Sequence, residues 1–330
     1  MPPTQRATLA LLVVALIWGW TFVWMKQATE AGQALLGADN AAVYIALFMM
    51  LRFLPAAFMI PAFSQRARQG LGQRGNWQGG AILAGFVLAG FLLQMFGLEG
   101  VSPAVSAFLT SLYVPFTALL GFLLGRRGMS KILVVGVLMV TLGASIISGP
   151  PQLNFDLPEW LTVLCGLFFA GHILSTDYVT KRHDPLTVTA TSFFFVGIGC
   201  LALFAVQWRL HPSVSLEQIT QLLSTASFAW PLACCCILGT AVALSLLNYY
   251  QRELDPVRAA ILFSLEPVFA AIISLAYGKE ELSSWFLAGS GLVLLGNVAV
   301  EVIEKLKERK AGATVENGGE AMENGQGGGI

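Results

Sequence analysis

The stretch AAILFSLEPVFAAIISLAY, residues 259–277, decides how the chain is read. It is apolar enough to lie in hydrocarbon, yet its centre carries Glu266 joined to Pro267. An ionised carboxylate in a bilayer is costly, so Glu266 is expected to face a bundle interior or wet cavity, to be paired, or to carry a proton. A proline inside a helix leaves the carbonyl four residues earlier without its amide partner. Pro267 therefore predicts a kink, and because lipid cannot satisfy the freed carbonyl, the kink belongs beside a cavity.

The surrounding chain agrees with a membrane setting. Of 330 residues 56% are hydrophobic and only 12% charged, with a mean hydropathy of +0.71; a soluble domain is about a quarter charged. The net charge is zero, and no basic stripe is available for nucleic acid. Cys165, Cys200, Cys234, Cys235 and Cys236 all fall in apolar segments and read as small packing residues, so no disulfide, metal or other cofactor is implied. The first apolar run lacks an early small-residue cleavage site and reads as a transmembrane helix instead of a removed signal.

About 20 apolar residues cross a bilayer as a helix. Ten such runs are expected, at Ala7–Met25, Ala42–Phe63, Gly80–Leu98, Ala104–Leu124, Ile132–Ser148, Trp160–Tyr178, Val188–Val206, Ala229–Tyr249, Val257–Tyr277 and Trp285–Ile303. They fall into two domains, residues 7–148 and 160–303, followed by a polar tail, 304–330, with the composition of a disordered segment. With the N-terminus inside, 15 of the 19 lysines and arginines lie in cytoplasmic segments, among them Arg126 and Arg127, while the outer loops hold Lys26, Arg209 and Lys279. By the positive-inside rule both termini are cytoplasmic in a multi-pass inner-membrane protein.

Shifting the chain by 153 residues matches Pro103–Gly143 to Pro256–Gly296 without a gap, with 13 of 41 positions identical. The identities include Pro103/Pro256, Ser111/Ser264, Gly125/Gly278, Gly136/Gly289 and Gly143/Gly296. Five helices per half is an odd number, so the second half is expected to enter the membrane upside down, Arg126-Arg127 inside and Lys279-Glu280 outside. Inverted five-helix repeats point to a transporter with its solute site at mid-membrane between the halves.

The runs FLTSLYVPFTALLGFLLGRRGMSKILVVGVLMVTLGA and LDPVRAAILFSLEPVFAAIISLAYGKEELSSWFLAGSGLVLLG resemble the EamA-type repeats of the drug/metabolite transporter superfamily, as do LIWGWTFVWMK and LRFLPAAF in the first two helices. The resemblance covers residues 7–303 and departs from the common repeat at YVP, residues 113–115. It implies an all-α membrane carrier of ten helices, two inverted repeats around a central cavity lined by helices 1, 3, 4, 6, 8 and 9, often an exporter of amino acids or other small metabolites.

Within that frame Ser106, Thr110, Tyr113 and Thr117 share one face of helix 4, and the repeat-equivalent face of helix 9 is Ala259, Phe263, Glu266 and Ala270. Ser264 is the repeat mate of Ser111, and the prolines expected to kink the two helices are Pro115 and Pro267. In helix 1, Trp18, Trp20 and Thr21 are candidates for solute contact, and a shift of 152 sets His172 of helix 6 opposite Trp20. Gln94, Ser245, Asn248 and Tyr249 suit either solute contact or hydrogen bonding between helices. Arg52 is assigned a structural role, and the paired glycines 136, 143, 289 and 296 a close helix contact, within one chain or between two.

No HExxH, GxSxG or P-loop is present, so neither an intramembrane enzyme nor a nucleotide-driven pump is indicated. The absence of a charged ring disfavours a selective channel. The sequence points to a secondary carrier for a small-molecule solute, either proton-coupled through Glu266 or facilitative, partnered by the lipid bilayer and no nucleic acid, as a monomer or weak homodimer. A cysteine placed at position 279 should react with an impermeant thiol reagent added outside intact cells; labelling only after the inner face is exposed overturns the inversion.

Overall fold

Every regular element among the described residues of this computed structural model is helical; those residues are 2–125, 130–146, 150, 155–278, 282–300, 302–303 and 306. Arg126, Arg127, Lys279, Glu280 and all of the tail from 304 except Leu306 lie outside them. In chain order the helices are α1 (Pro3–Leu36), α2 (Ala41–Phe63), α3 (Gln65–Gly70), α4 (Arg74–Gly100), α5 (Pro103–Thr110), α6 (Tyr113–Leu123), α7 (Lys131–Ile146), α8 (Leu157–Thr180), α9 (Pro185–Leu210), α10 (Leu216–Ser224), α11 (Ala226–Cys234), α12 (Ala243–Tyr250), α13 (Pro256–Phe263), α14 (Glu266–Ala276) and α15 (Ser284–Val300). A π-helix, Cys235–Val242, joins α11 to α12.

Eight helical stretches are long and apolar enough to cross a membrane: α1, α2, α4, α5 with α6, α8, α9, α11 through Glu253, and α13 with α14. Two shorter apolar helices, α7 and α15, complete the set among the described residues. The first helix runs eleven residues past the expected Met25, because nothing stops it before Gly37, whose φ of 86° suits a residue without a Cβ.

Local signals repeat between the halves. Ser102 and its mate Asp255 are N-caps that accept backbone N–H groups, from Val105 at 3.3 Å and from Val257 at 2.8 Å, and each precedes a proline in the first helical position. The mates Gly125 and Gly278 follow α6 and α14 with φ of 68° and 67°, the left-handed close that ends many helices.

Both prolines act differently from the expected kink. One span stops at Thr110 and restarts at Tyr113, and its repeat mate stops at Phe263 and restarts at Glu266. The breaks fall at Ser111-Leu112 and Ser264-Leu265, which are repeat mates, so each proline lies in the first turn of the second segment, where an amide is not required. The hydroxyls of the two serines donate back to carbonyls three residues earlier, Ser111 to Phe108 at 2.7 Å and Ser264 to Ile261 at 2.6 Å. The Ser111 carbonyl accepts from Val114 N–H at 2.9 Å, so the group expected to be orphaned is satisfied within its own turn.

Packing pairs are exchanged when the halves are exchanged. Helix α5 lies on α14 as α6 lies on α13; α8 packs on α4 as α1 packs on α11 and α12; α2 packs on its own mate, α9. The glycine contact is made within the chain, between α7 and α15, which run antiparallel: Gly143 faces Gly289 and Val293, while Gly136 faces Val300 and Gly296. A Cβ at Gly143 would come within 2.7 Å of the Gly289 carbonyl oxygen, whereas one at Gly85 would meet nothing within 4 Å. Gly143→Ala should therefore cost about 1–3 kcal/mol by forcing two backbones apart, and Gly85→Ala should be neutral or stabilising by up to about 1 kcal/mol. Thermal unfolding in detergent checks the pair; an unshifted midpoint for Gly143→Ala contradicts the close crossing.

Candidate functional site

The two broken spans meet at their restarts. Tyr113 and Glu266 are the first residues of α6 and α14, and the Tyr113 hydroxyl donates to Glu266 Oε1 at 3.3 Å. Their separation of 153 residues equals the repeat shift, so two equivalent positions touch. Glu266 is 3% exposed, and its place at a helix N-terminus sets the carboxylate against the positive end of that helix dipole.

Around this contact lies a narrow cavity. Its polar lining is Thr21, Gln94, Thr110, Tyr113, His172 and Glu266, and its apolar wall is largely Trp18, Phe22, Phe91, Phe169 and Phe263, with Val87, Ile173, Leu244 and Leu247. These residues come from α1, α4, α5, α6, α8, α12, α13 and α14. Thr110 and Tyr113 thus share the cavity with their mates Phe263 and Glu266; Ser106 and Thr117 are buried outside it.

Five expected residues do not line the cavity. Trp20 stands two residues from Trp18, roughly 200° round the helix, and packs on Trp24 and Tyr277 with ring centroids 5.6 and 6.0 Å away. His172 does face the cavity, but the tryptophan it shares the cavity with is Trp18. Ser245 lies off the Leu244–Leu247 face of α12. Ser264 accepts from Asn297 Nδ2 at 3.1 Å, which ties the break between α13 and α14 to α15. Asn248 joins three helices: its Nδ2 donates to Thr189 Oγ1 at 2.8 Å, and its Oδ1 accepts from Thr176 Oγ1 at 3.4 Å, which also lies 3.4 Å from His172 Nε2. Tyr249 packs against Tyr250 at 5.0 Å.

The π-helix braces the wall from behind. Trp18 Nε1 donates to the Gly239 carbonyl at 3.1 Å, and Arg52 Nε donates to Thr240 Oγ1 at 2.7 Å. Arg52 is fully buried, contacts Met25 Sδ through Nη1 at 3.2 Å and sits 4.3 Å from the centroid of Phe91. On the opposite wall Gln94 Nε2 donates to Thr110 Oγ1 at 3.2 Å, and Cys165 Sγ lies 3.5 Å from the same hydroxyl.

Sequence reading named Trp18 and Phe263 but missed Phe22, Phe91 and Phe169, because a phenylalanine facing a cavity and one facing lipid look alike in an apolar run. Asn297 was also missed, although a lone amide in the tenth apolar run is a usable signal of helix-to-helix bonding.

Comparison with known proteins bears on the whole chain. The EamA-like transporter family profile matches residues 5–149 and again 157–301. A protein of Archaeoglobus fulgidus named an uncharacterized transporter is 28% identical over 296 residues, which cover 90% of this chain and 86% of that one. A protein of known crystal structure superposes with a TM-score of 0.65 at 18% identity, over 92% of this chain and 99% of the other, a likeness of fold.

Asn248 is expected to hold helices together without touching solute. Asn248→Ala should lower stability by about 1–3 kcal/mol, since it strands Thr189 and Thr176 in the core, and should leave solute affinity within about twofold. Thermal unfolding and a binding titration on the same preparation check both; a large affinity loss at unchanged stability reverses the assignment.

Proposed function

The chain belongs to the EamA-like transporter family, and on that premise we propose that it is a secondary carrier of ten membrane spans in two inverted repeats, residues 7–148 and 160–303. It exports small metabolites, amino acids or amphipathic amines, through the inner membrane, with both termini cytoplasmic. The exchange of packing partners between halves and the antiparallel run of α7 against α15 support the inverted arrangement.

One observation carries the mechanism: a carboxylate and a phenol from equivalent positions meet in the cavity, each at a mid-membrane helix end. Discontinuous helices of this kind form solute and ion sites in alternating-access carriers. Glu266 holds a proton when the cavity is dry and gives it up when water or a cationic solute enters, so proton and solute alternate on one group. The breaks at 111–112 and 264–265 let the outer and inner segments of the two spans tilt separately, opening one side as the other closes. Gln94, Thr110, His172, Trp18 and Thr21 complete the contact surface.

Glu266→Gln tests the coupling, since it mimics the neutral acid. In proteoliposomes, with a solute found by screening labelled amino acids, amines and nucleobases, it should keep exchange across a zero gradient and lose pH-driven accumulation. Accumulation by Glu266→Gln as great as the parent's, with the same pH dependence, returns Glu266 to a structural role in a facilitative carrier.

A further inference from the structure

Hydrogen bonding inside the cavity leaves mainly acceptors uncommitted. Thr21 donates to the Trp18 carbonyl at 2.8 Å, Tyr113 donates to Glu266, and His172 Nε2 is 3.4 Å from Thr176. Gln94 donates one of its two amide N–H groups to Thr110, and its Oε1 is buried with no partner. The side chain is only 2% exposed and lines the cavity, so an acceptor is held where neither lipid nor backbone can satisfy it. Thr110 belongs to the last turn before the break and Tyr113 to the first turn after it, so Gln94 and Glu266 are linked across one wall.

No lysine or arginine lines the cavity. Arg52 is the nearest guanidinium behind the wall, and it lies beyond the Phe91 ring with Nε and Nη1 turned to Thr240 and Met25. A solute carboxylate would enter against Glu266 without a cation to meet it, a repulsive element that selects by exclusion. An ammonium finds two acceptors, and the faces of Trp18, Phe91, Phe169 and Phe263 suit an apolar body and a nearby cation.

We infer that the cavity selects protonated primary or secondary amines with an aromatic or apolar body and rejects solutes bearing a free carboxylate, with Gln94 Oε1 sharing the ammonium hydrogens with Glu266. This rests on the reading of the cavity as the solute site and narrows it, from amino acids or amines to amines. A site built to pair with N–H groups also disfavours a quaternary nitrogen, which leaves both acceptors unmet.

Calorimetric titration of the purified full chain with phenethylamine, phenylalanine and trimethylphenethylammonium tests the inference without requiring flux. Phenethylamine should bind at least about tenfold more tightly than either of the others, the size of one buried polar group left unpaired. Gln94→Met should erase the preference over the quaternary ion while keeping the rejection of phenylalanine, and Gln94→Glu, which retains acceptors, should keep both. Equal binding of phenylalanine, equal binding of the quaternary ion, loss of phenethylamine binding in Gln94→Glu, or no binding by any of the three overturns the inference. Should Gln94→Met fail to fold, the parent's ligand ranking and Gln94→Glu decide alone. Flux in proteoliposomes separates the two readings: amine binding without flux defeats the carrier and keeps the ligand class, whereas phenylalanine flux without amine binding does the reverse.

Discussion

A helix that stops in the middle of a bilayer leaves amides and carbonyls that hydrocarbon cannot satisfy, and the rest of this structure is arranged around two such stops. At 111–112 and 264–265 the chain tightens by one turn, and a serine hydroxyl in each break bonds backward to its own helix. The breaks are also tied laterally, side chain to side chain. Asn297 reaches Ser264 from α15, and Tyr113 reaches Glu266 across the cavity. Close approach is a precondition for that reach, which explains the glycines where spans cross: Gly166 faces the carbonyl of Thr110, and Gly19 faces Phe269 and Ala270.

The same logic extends outward to the buried arginine. A guanidinium fully removed from water needs hydrogen bonds and a polarisable surface, and Arg52 finds a threonine, a methionine sulfur and the face of Phe91. Thr240 lies on the π-helix, the irregular turn that also turns the Gly239 carbonyl to Trp18. Irregular turns of this type concentrate at functional sites. Here it joins the second span to the cavity wall, so a buried arginine and a cavity-lining tryptophan share one support.

Much of this was legible before any coordinates. Hydropathy outlined the spans, and the 153-residue shift identified Tyr113 as the mate of Glu266, the pair that turns out to touch. What failed did so for physical reasons. A proline in a helix-like run does not say whether the helix bends at it or breaks before it, because both relieve the missing amide; here the serine-leucine steps broke. Trp18 and Trp20 could not be ranked, since helical phase in an almost uniformly apolar segment has no polar face to fix it. Phe22, Phe91 and Phe169 of the wall carried no signal for the same reason.

Tyr113 and Glu266 occupy equivalent places but differ in chemistry, and that difference has an evolutionary meaning. Two separate identical five-helix chains related by a dyad would set like against like at this contact, glutamate on glutamate or tyrosine on tyrosine. A single continuous chain is free of that rule, and each half can drift while the contact is kept. The contact here holds one acid and its donor where two identical chains would hold a matched pair.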